Sequence, residues 1–349
     1  MTTSHGYAAV TAKAELTPFT FERRAVGAQD VAFDIKYAGI CHSDIHQARE
    51  EWGPAIFPMV PGHEIAGVVT SVGSAVTKFK VGDRIGVGVF IDSCRECDNC
   101  KAGNEQYCRQ GMTGTYNTLE RDGVSVAMGG YSNTFVVNED YAVHIPENLD
   151  LAGVAPLLCA GITLYSPIKH WNVAPGKRVA VIGLGGLGHM GVKFAVALGA
   201  EVTVLSHSPS KEADALAMGA HHFYSTKDES TFKKLYKSFD LILNTVSADI
   251  DLDAYVNLVD QDGTLVVIGL PGKPYSINAG TLLNGRRSVG GSMIGGIAET
   301  QSMLNFCSEH HIVSDVEVIS ASYINEAYER TVASDVKYRF VIDASTFTH

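Results

Sequence analysis

Between Arg178 and Leu205 the chain passes from an apolar run through a glycine-rich turn to a helical pattern and a second apolar run, and few folds accept that succession. Arg178 to Ile182 reads as a strand. Gly183, Gly185 and Gly188 form G-x-G-x-x-G, with Gly186 and Leu187 inside the motif. Leu187 to Leu198 reads as a helix, and Glu201 to Leu205 as the next strand. Two strands joined by a helix lie parallel and cross over right-handed. A turn without side chains lets the backbone approach a pyrophosphate, whose charge suits a helix N-terminus. The motif therefore predicts dinucleotide binding; the alternative is a turn used for close packing alone.

Strand and helix keep alternating beyond it: a helix from Lys211 to Met218, then strands at Leu241 to Asn244 and Thr264 to Gly269. This is the signature of a doubly wound parallel sheet. Upstream the pattern differs. Val31 to Lys36, Ile65 to Val72, Arg84 to Phe90 and Tyr131 to Val137 are short apolar runs between Gly, Pro and Asp, which predicts a β-rich, barrel-like unit with functional residues on its loops. A helix at Glu299 to Phe306 and strands at Val316 to Ile319 and Arg339 to Ile342 fit either unit. The 349 residues suffice for two domains at about 150 residues each.

Thirty-eight acidic against 27 basic residues give a net charge of −11 with no basic tract, which argues against nucleic acid as the partner. No run approaches the roughly 18 apolar residues of a membrane span, and Met1 to Ala14 lacks signal-peptide character. The expected setting is a reducing cytoplasm and a small-molecule substrate.

Four of the seven cysteines, Cys94, Cys97, Cys100 and Cys108, follow C-x2-C-x2-C-x7-C. Tetrahedral thiolate coordination needs such clustering, and four thiolates close the shell, so the spacing predicts a structural zinc bracing the lobe Asp92 to Gln110. Local disulfides or free thiols are the alternatives. Cys41, His42, Ser43, Asp44 and His46 form a second group, followed by Pro61, Gly62, His63 and Glu64. Thiolate plus imidazole is a zinc-type ligand set, and three protein ligands leave a position for substrate. Taken alone, Cys41 and His63 read equally as a buried thiol and a hydrogen-bonded loop histidine, while Cys159 and Cys307 read as small core residues. At the end of the second strand Ser206, His207, Ser208 and Lys211 stand where an NAD site presents a carboxylate. Hydroxyls, imidazole and ammonium suit a 2′-phosphate, which predicts NADP; the alternative makes Ser208 or Ser210 a helix N-cap.

The chain resembles the zinc-containing medium-chain alcohol dehydrogenases, and within them the cinnamyl alcohol dehydrogenase group of broad-range NADP-dependent aldehyde reductases. The segments carrying the resemblance are G-I-C-H-S-D-I-H at Gly39 to His46, G-H-E-x2-G-x5-G-x2-V at Gly62 to Val76, the four-cysteine lobe, A-P-L-L-C-A-G-I-T-L-Y-S-P at Ala155 to Pro167, G-L-G-G-L-G-H at Gly183 to His189, G-S-M-I-G-G at Gly291 to Gly296 and V-K-Y-R-F-V at Val336 to Val341.

The resemblance implies an α/β protein with a GroES-like β-rich catalytic domain, residues 1–156 with 297–349, and a Rossmann NADP-binding domain, residues 157–296. It implies two zinc ions per subunit, the catalytic one on Cys41, His63 and Cys159 with Glu64 as a nearby or alternating ligand. It places Thr163, Thr245, Gly269, Ser292 and Ile294 along the cofactor and Arg339 at its phosphates. The implied reaction interconverts aldehydes and primary alcohols with NADP(H). The expected proton path runs from the reacting oxygen to Ser43 and, by way of the nicotinamide ribose hydroxyl, to His46. A homodimer is implied, with Ser288 to Ile294 at its edge. Alternatives are an NAD-dependent alcohol dehydrogenase of the same fold and a non-catalytic nucleotide sensor. One departure stands out: plant cinnamyl members carry a Trp just before a T-Y-N or S-Y-N segment, and here Gly114 precedes Thr115, Tyr116 and Asn117. Trp52 reads either as a substitute aromatic wall or as ordinary packing.

Overall fold

The computed structural model describes residues 2–347; Met1, Thr348 and His349, at the ends of the expected catalytic domain, lie outside the described residues. The chain divides into two compact units, one running to Ile162 and resuming at Gly295, the other spanning Thr163–Ile294.

The first unit is organised by the strand Asp30–Gly39. Its alternate residues Val31, Phe33 and Ile35 are buried, as period-two patterning requires of a strand with one face on a core. It pairs antiparallel with Ile65–Val72, Thr134–Asn138 and Arg339–Asp343. Ile65–Val72 continues to Arg84–Val87 and on to Val143–His144, and Val316–Ile319 adds in parallel to Arg339–Asp343. The strand pairing of Arg339–Asp343 places the C-terminal tail in this unit. Two polar-faced strands that hydrophobic patterning did not pick out, Thr2–Ala8 and Thr17–Arg23, form a separate antiparallel pair.

The boundary after this unit falls later than the expected division at 156/157. A Cβ on Gly86 would lie 3.0 Å from the Leu158 side chain, and one on Gly88 would lie 2.7 Å from the Leu158 carbonyl oxygen. The segment before Cys159 is thus packed onto the β-rich unit, and Cys159 goes with it. Among the described residues no single helix is long and apolar enough to cross a membrane.

The second unit holds six parallel strands: β1 (Arg178–Ile182), β2 (Glu201–Ser206), β3 (His222–Ser225), β4 (Phe239–Asn244), β5 (Val259–Val267) and β6 (Ser288–Gly291). Their order is β3-β2-β1-β4-β5-β6, so the order reverses between β1 and β4 and ligand binding belongs at the carboxyl ends there. Val179, Ala180, Val181 and Ile182 are all buried, which is why β1 reads as a continuous apolar run rather than an alternating one. β3 escaped the sequence reading because its His-Phe-Tyr-Ser run is at best half-buried.

Candidate active site

Asp30–Gly39 delivers the chain to the helix His42–Ala48, with Cys41 at its N-cap. Asp44 is the third helical residue, and its carboxylate accepts the Cys41 backbone N–H at 2.9 Å, so the helix start is closed locally. That carboxylate is fully buried. It also accepts from the Gly62 N–H at 3.1 Å and the Tyr131 hydroxyl at 3.0 Å, and lies 2.9 Å from His63 Nδ1. An ionised carboxylate only accepts, so Nδ1 carries a proton, and Nε2 is the nitrogen that a metal would bind on displacing its proton.

His63 Nε2 lies 3.2 Å from Cys159 Sγ, and Cys159 Sγ lies 4.0 Å from Cys41 Sγ. One ligand atom each from Cys41, His63, Glu64 and Cys159 falls within 4.8 Å of the others, and all four residues are buried. Glu64 is held by a hydrogen bond donated by Arg339 Nη2, while its Oε2 has no hydrogen-bond partner. Gly39 makes room for it, because a Cβ there would come within 2.0 Å of Glu64 Oε2.

Ionisation follows from this crowding. The hydrogen bond from Cys159 is the main cause holding the Cys41 thiol well below its usual range, with the Arg339 charge assisting, and Cys159 is correspondingly pushed up. Burial opposes charge on His63, but Asp44 outweighs it and raises the imidazole well above its usual value. Burial pushes Glu64 up to about 7 even with Arg339 beside it. Two sulfurs, an imidazole nitrogen and an orphaned carboxylate oxygen make a donor set that fits zinc, and the protons they hold are the ones a metal displaces.

Ser43 Oγ lies 3.6 Å from Cys41 Sγ. His46, one turn along the helix, points instead to Glu51 and Trp52. Trp52 is 48% exposed and stacked on His46. Tyr116 stacks on His63 with ring centroids 5.9 Å apart, and its hydroxyl accepts from Gln47 Nε2 at 3.0 Å. A Cβ at Gly114 would sit 3.1 Å from the Tyr116 carbonyl oxygen, so a tryptophan at that position requires the neighbouring backbone to shift.

The second cluster is also assembled. Ligand atoms of Cys94, Cys97, Cys100 and Cys108 lie within 4.8 Å of one another, and all seven cysteines are free of disulfides. Backbone N–H groups of Cys94, Cys97 and Arg109 donate to the sulfurs of Cys108, Cys94 and Cys97. The Arg109 N–H is the main cause bringing the Cys97 thiol down to about 6, while burial pushes Cys100 up to about 11. Four sulfurs around one point fit a closed zinc site.

In the other unit the three motif glycines have distinct duties. Gly183 has φ +85°, and a Cβ on it would strike Val246 at 2.5 Å. A Cβ on Gly188 would strike the Gly183 carbonyl at 2.0 Å, which keeps the helix Gly188–Ala197 close against β1. Gly185 has nothing within 4 Å, an open cradle that a side chain would fill. Thr245 Oγ1 donates to the Ile182 carbonyl at 2.7 Å, and the Gly269 N–H donates to the Asn244 carbonyl at 3.0 Å, beside the same strand ends. Ser292 follows β6, its N–H on the Val267 carbonyl at 3.2 Å. Thr163 is buried in the helix Ala160–His170, and Ile294 is buried with φ +39°.

At the end of β2, Ser206 Oγ accepts the Ser208 N–H at 3.2 Å, and Lys211 Nζ donates to the Leu184 carbonyl of the glycine turn at 2.7 Å. His207 is exposed. Ser208 precedes the short 3₁₀ turn Pro209–Lys211 without capping it by its side chain. Arg339, expected at the cofactor phosphates, is 5% exposed with its guanidinium on Glu64.

Two family models cover most of the chain: an alcohol dehydrogenase GroES-like domain at residues 27–147 and a zinc-binding dehydrogenase at residues 186–309. Over 347 residues, 99% of each chain, it is 62% identical to NADP-dependent alcohol dehydrogenase C 1 of Mycolicibacterium smegmatis. The chain belongs to the zinc-type medium-chain alcohol dehydrogenases. It is 50% identical over 342 residues to the aldehyde reductase YahK of Escherichia coli, covering 97% of this chain and 98% of that one. Among solved structures, the cinnamyl alcohol dehydrogenase SbCAD4 of Sorghum bicolor superposes with a TM-score of 0.96 at 44% identity, over 99% of this dehydrogenase and 98% of that chain.

Sequence reasoning named Asp44 but gave it no role. The signal was its place three residues after the N-cap, the spacing of a capping box. Tyr131 carried no local signal at all.

Proposed function

We propose that this dehydrogenase interconverts aldehydes and primary alcohols by hydride transfer with NADP(H), using two zinc ions per subunit. The relatives' activities support the reaction class: one is named an NADP-dependent alcohol dehydrogenase and another an aldehyde reductase. The observation that carries the reading in this chain is the buried cluster of Cys41, His63, Glu64 and Cys159, with Asp44 presenting His63 Nε2 to it.

Cys41, His63 and Cys159 would hold the catalytic ion, with Glu64 as the adjacent carboxylate; Cys94, Cys97, Cys100 and Cys108 would hold the structural one. Zinc bound in the first set supplies Lewis acidity toward the substrate oxygen. The chain's own residues do the remaining work. Arg339 neutralises Glu64 and restrains it beside the cluster. Ser43 holds the proton of the substrate oxygen, and His46 exchanges that proton with solvent. Gly185 leaves room for the cofactor pyrophosphate, and Ser206, His207, Ser208 and Lys211 receive the 2′-phosphate. A cytoplasmic homodimer is part of the same reading, supported by the family resemblance and by β6 standing at the edge of its sheet.

The test is NADPH oxidation followed at the nicotinamide absorbance band with benzaldehyde, beside metal analysis of the purified protein. Aldehyde-dependent oxidation with two zinc ions per chain is expected. A single zinc confined to the four-cysteine lobe, with undiminished aldehyde reduction, would overturn the proposal.

A further inference from the structure

The strand Thr17–Arg23, one of the two that hydrophobic patterning passed over, ends in a cation with almost no access to water. The guanidinium carbon of Arg23 lies 4.7 Å from the Phe21 ring centroid and 4.4 Å from that of Phe135. Its Nε donates to the Thr134 carbonyl at 3.1 Å and its Nη1 to the Met128 carbonyl at 2.5 Å. Nη2 donates to the Gly129 carbonyl at 2.7 Å and to the Ser132 hydroxyl at 2.9 Å. Arg24, the next residue, takes the carboxylates of Asp30 and Glu120. A buried cation needs dipoles or countercharge in place of its lost water, and here the oxygens of one loop, residues 128–134, supply them together with two ring faces.

That loop turns its remaining contacts toward the catalytic cluster. The N–H groups of Gly129, Gly130 and Tyr131 donate to the carbonyls of Val60 at 2.7 Å, Gly62 at 2.9 Å and Pro61 at 2.9 Å, so the chain just before His63 is laced to it. The fit is close: a Cβ on Gly129 would come within 2.3 Å of the Pro61 carbonyl oxygen, and one on Gly62 within 2.6 Å of the Tyr131 ring. The Tyr131 hydroxyl reaches Asp44, which in turn holds the His63 ring. Gly129 is thus gripped at both polar atoms, its carbonyl by Arg23 and its N–H by Val60. A planar fork of five donors spans Met128 and Thr134 at once, which an ammonium with three donors on a single point does not.

We propose that Arg23 is a positioning residue for the catalytic metal site of this dehydrogenase: by fixing the loop at residues 128–134 it sets the backbone that presents His63 to Cys41 and Cys159, without touching the site itself. The inference rests on the reading of Cys41, His63 and Cys159 as the catalytic zinc ligands. Without the guanidinium three buried carbonyls lose their donors, and the loop that backs Val60, Pro61 and Gly62 loses its own backing. Outer partners of a metal ligand contribute about 10- to 100-fold to affinity, and Arg23, one step further out, is expected at the lower end. The four-cysteine lobe shares none of these hydrogen bonds, so its zinc is an internal control.

The decisive experiment follows zinc release to a chromogenic chelator from folded holoenzyme, natural, Arg23→Met and Arg23→Lys, well below the melting temperature of each. The natural protein is expected to release two zinc ions in two kinetic phases, the catalytic one assigned by its absence in Cys41→Ser. In Arg23→Met the catalytic phase quickens about tenfold and the other phase is unchanged. Aldehyde reduction by that variant fails at low free zinc and returns when zinc is added, with KM for NADPH unaltered. Arg23→Lys, which keeps the charge but not the fork, falls between the two proteins and carries the same comparison should the methionine variant not fold. A catalytic phase unchanged in the variants overturns the proposal, as do two phases quickened alike, which would make Arg23 a residue of general stability. Failure of the underlying reading is separately visible: a natural protein that releases a single zinc has lost the ligand assignment before any Arg23 variant is compared.

Discussion

Asp44 Oδ1 lies 2.9 Å from His63 Nδ1, and this contact decides which nitrogen of His63 faces the two thiols. The same carboxylate takes the Cys41 N–H, the Gly62 N–H and the Tyr131 hydroxyl, so it fixes the backbone at two ligands as well as the ring of one. In Asp44→Asn an amide NH₂ must face one of these donors. The expected outcome is a loss of catalytic-zinc affinity of about 10- to 100-fold, read by competition with a chromogenic chelator. The zinc of the four-cysteine lobe stays.

Cys41→Ser removes one sulfur from the catalytic set. Turnover should be abolished, and metal analysis should fall from two zinc ions per chain to one, while NADPH still binds as followed by fluorescence. Retained activity would refute the ligand assignment.

The four-cysteine lobe should respond in the opposite way. Cys100→Ser opens a closed structural site in a segment whose α-helix is the four residues Asp98–Lys101. Protease sensitivity at residues 92–110 is expected to rise and the melting temperature to fall, because metal binding there is coupled to folding. The catalytic cluster should keep its zinc.

Gly185 and Gly188 separate ligand binding from packing. Gly185→Val projects into open space and should weaken NADPH binding by about tenfold or more by occupying the pyrophosphate cradle, at an unchanged melting temperature. Gly188→Ala drives a methyl into the Gly183 carbonyl and should lower the melting temperature itself. Equal effects of the two on stability would remove the distinction.

Lys211→Asp places a carboxylate at the end of β2, where a ribose diol prefers one and a 2′-phosphate is repelled. NADPH kcat/KM should drop about tenfold or more while NADH turnover holds or improves, since like charges at a binding site oppose a ligand by more than 1 kcal/mol.

Zinc retention should fall as pH falls. Thiols and imidazole must give up protons to bind metal, so lowering the pH favours the protonated, metal-free side. Burial holds Cys100 up at about 11, so this thiol releases its proton when zinc enters at neutral pH. The adjoining Cys97, at about 6, has already done so. Adding zinc to chelator-stripped protein at neutral pH should acidify a weakly buffered solution, as followed with an indicator dye.

The tertiary structure made legible what linear spacing left open. The strands around the glycine turn and the helix after it were readable because each rests on contacts within a few residues. The same holds for the four-cysteine lobe, whose ligands span Cys94 to Cys108 and carry their own interval. Cys41 and Cys159 are 118 residues apart, and a cysteine between Leu158 and Ala160 looks like core until the packing of Leu158 against Gly86 and Gly88 carries it to the cluster. Resemblance to a family supplied that ligand; spacing did not.

By itself, then, the sequence determined the alternating strand–helix architecture, the glycine-rich turn, the four-cysteine lobe and the acidic composition without a basic tract, because local backbone preference and short-range side-chain chemistry suffice for each. Tertiary structure decided the rest. The pairing of Arg339–Asp343 with Asp30–Gly39 brings Arg339 onto Glu64 across 275 residues, and Tyr131 reaches Asp44 across 87. A buried charge needs its partner in space, and the chain's sheet pairing, not its order, determines which partner it meets.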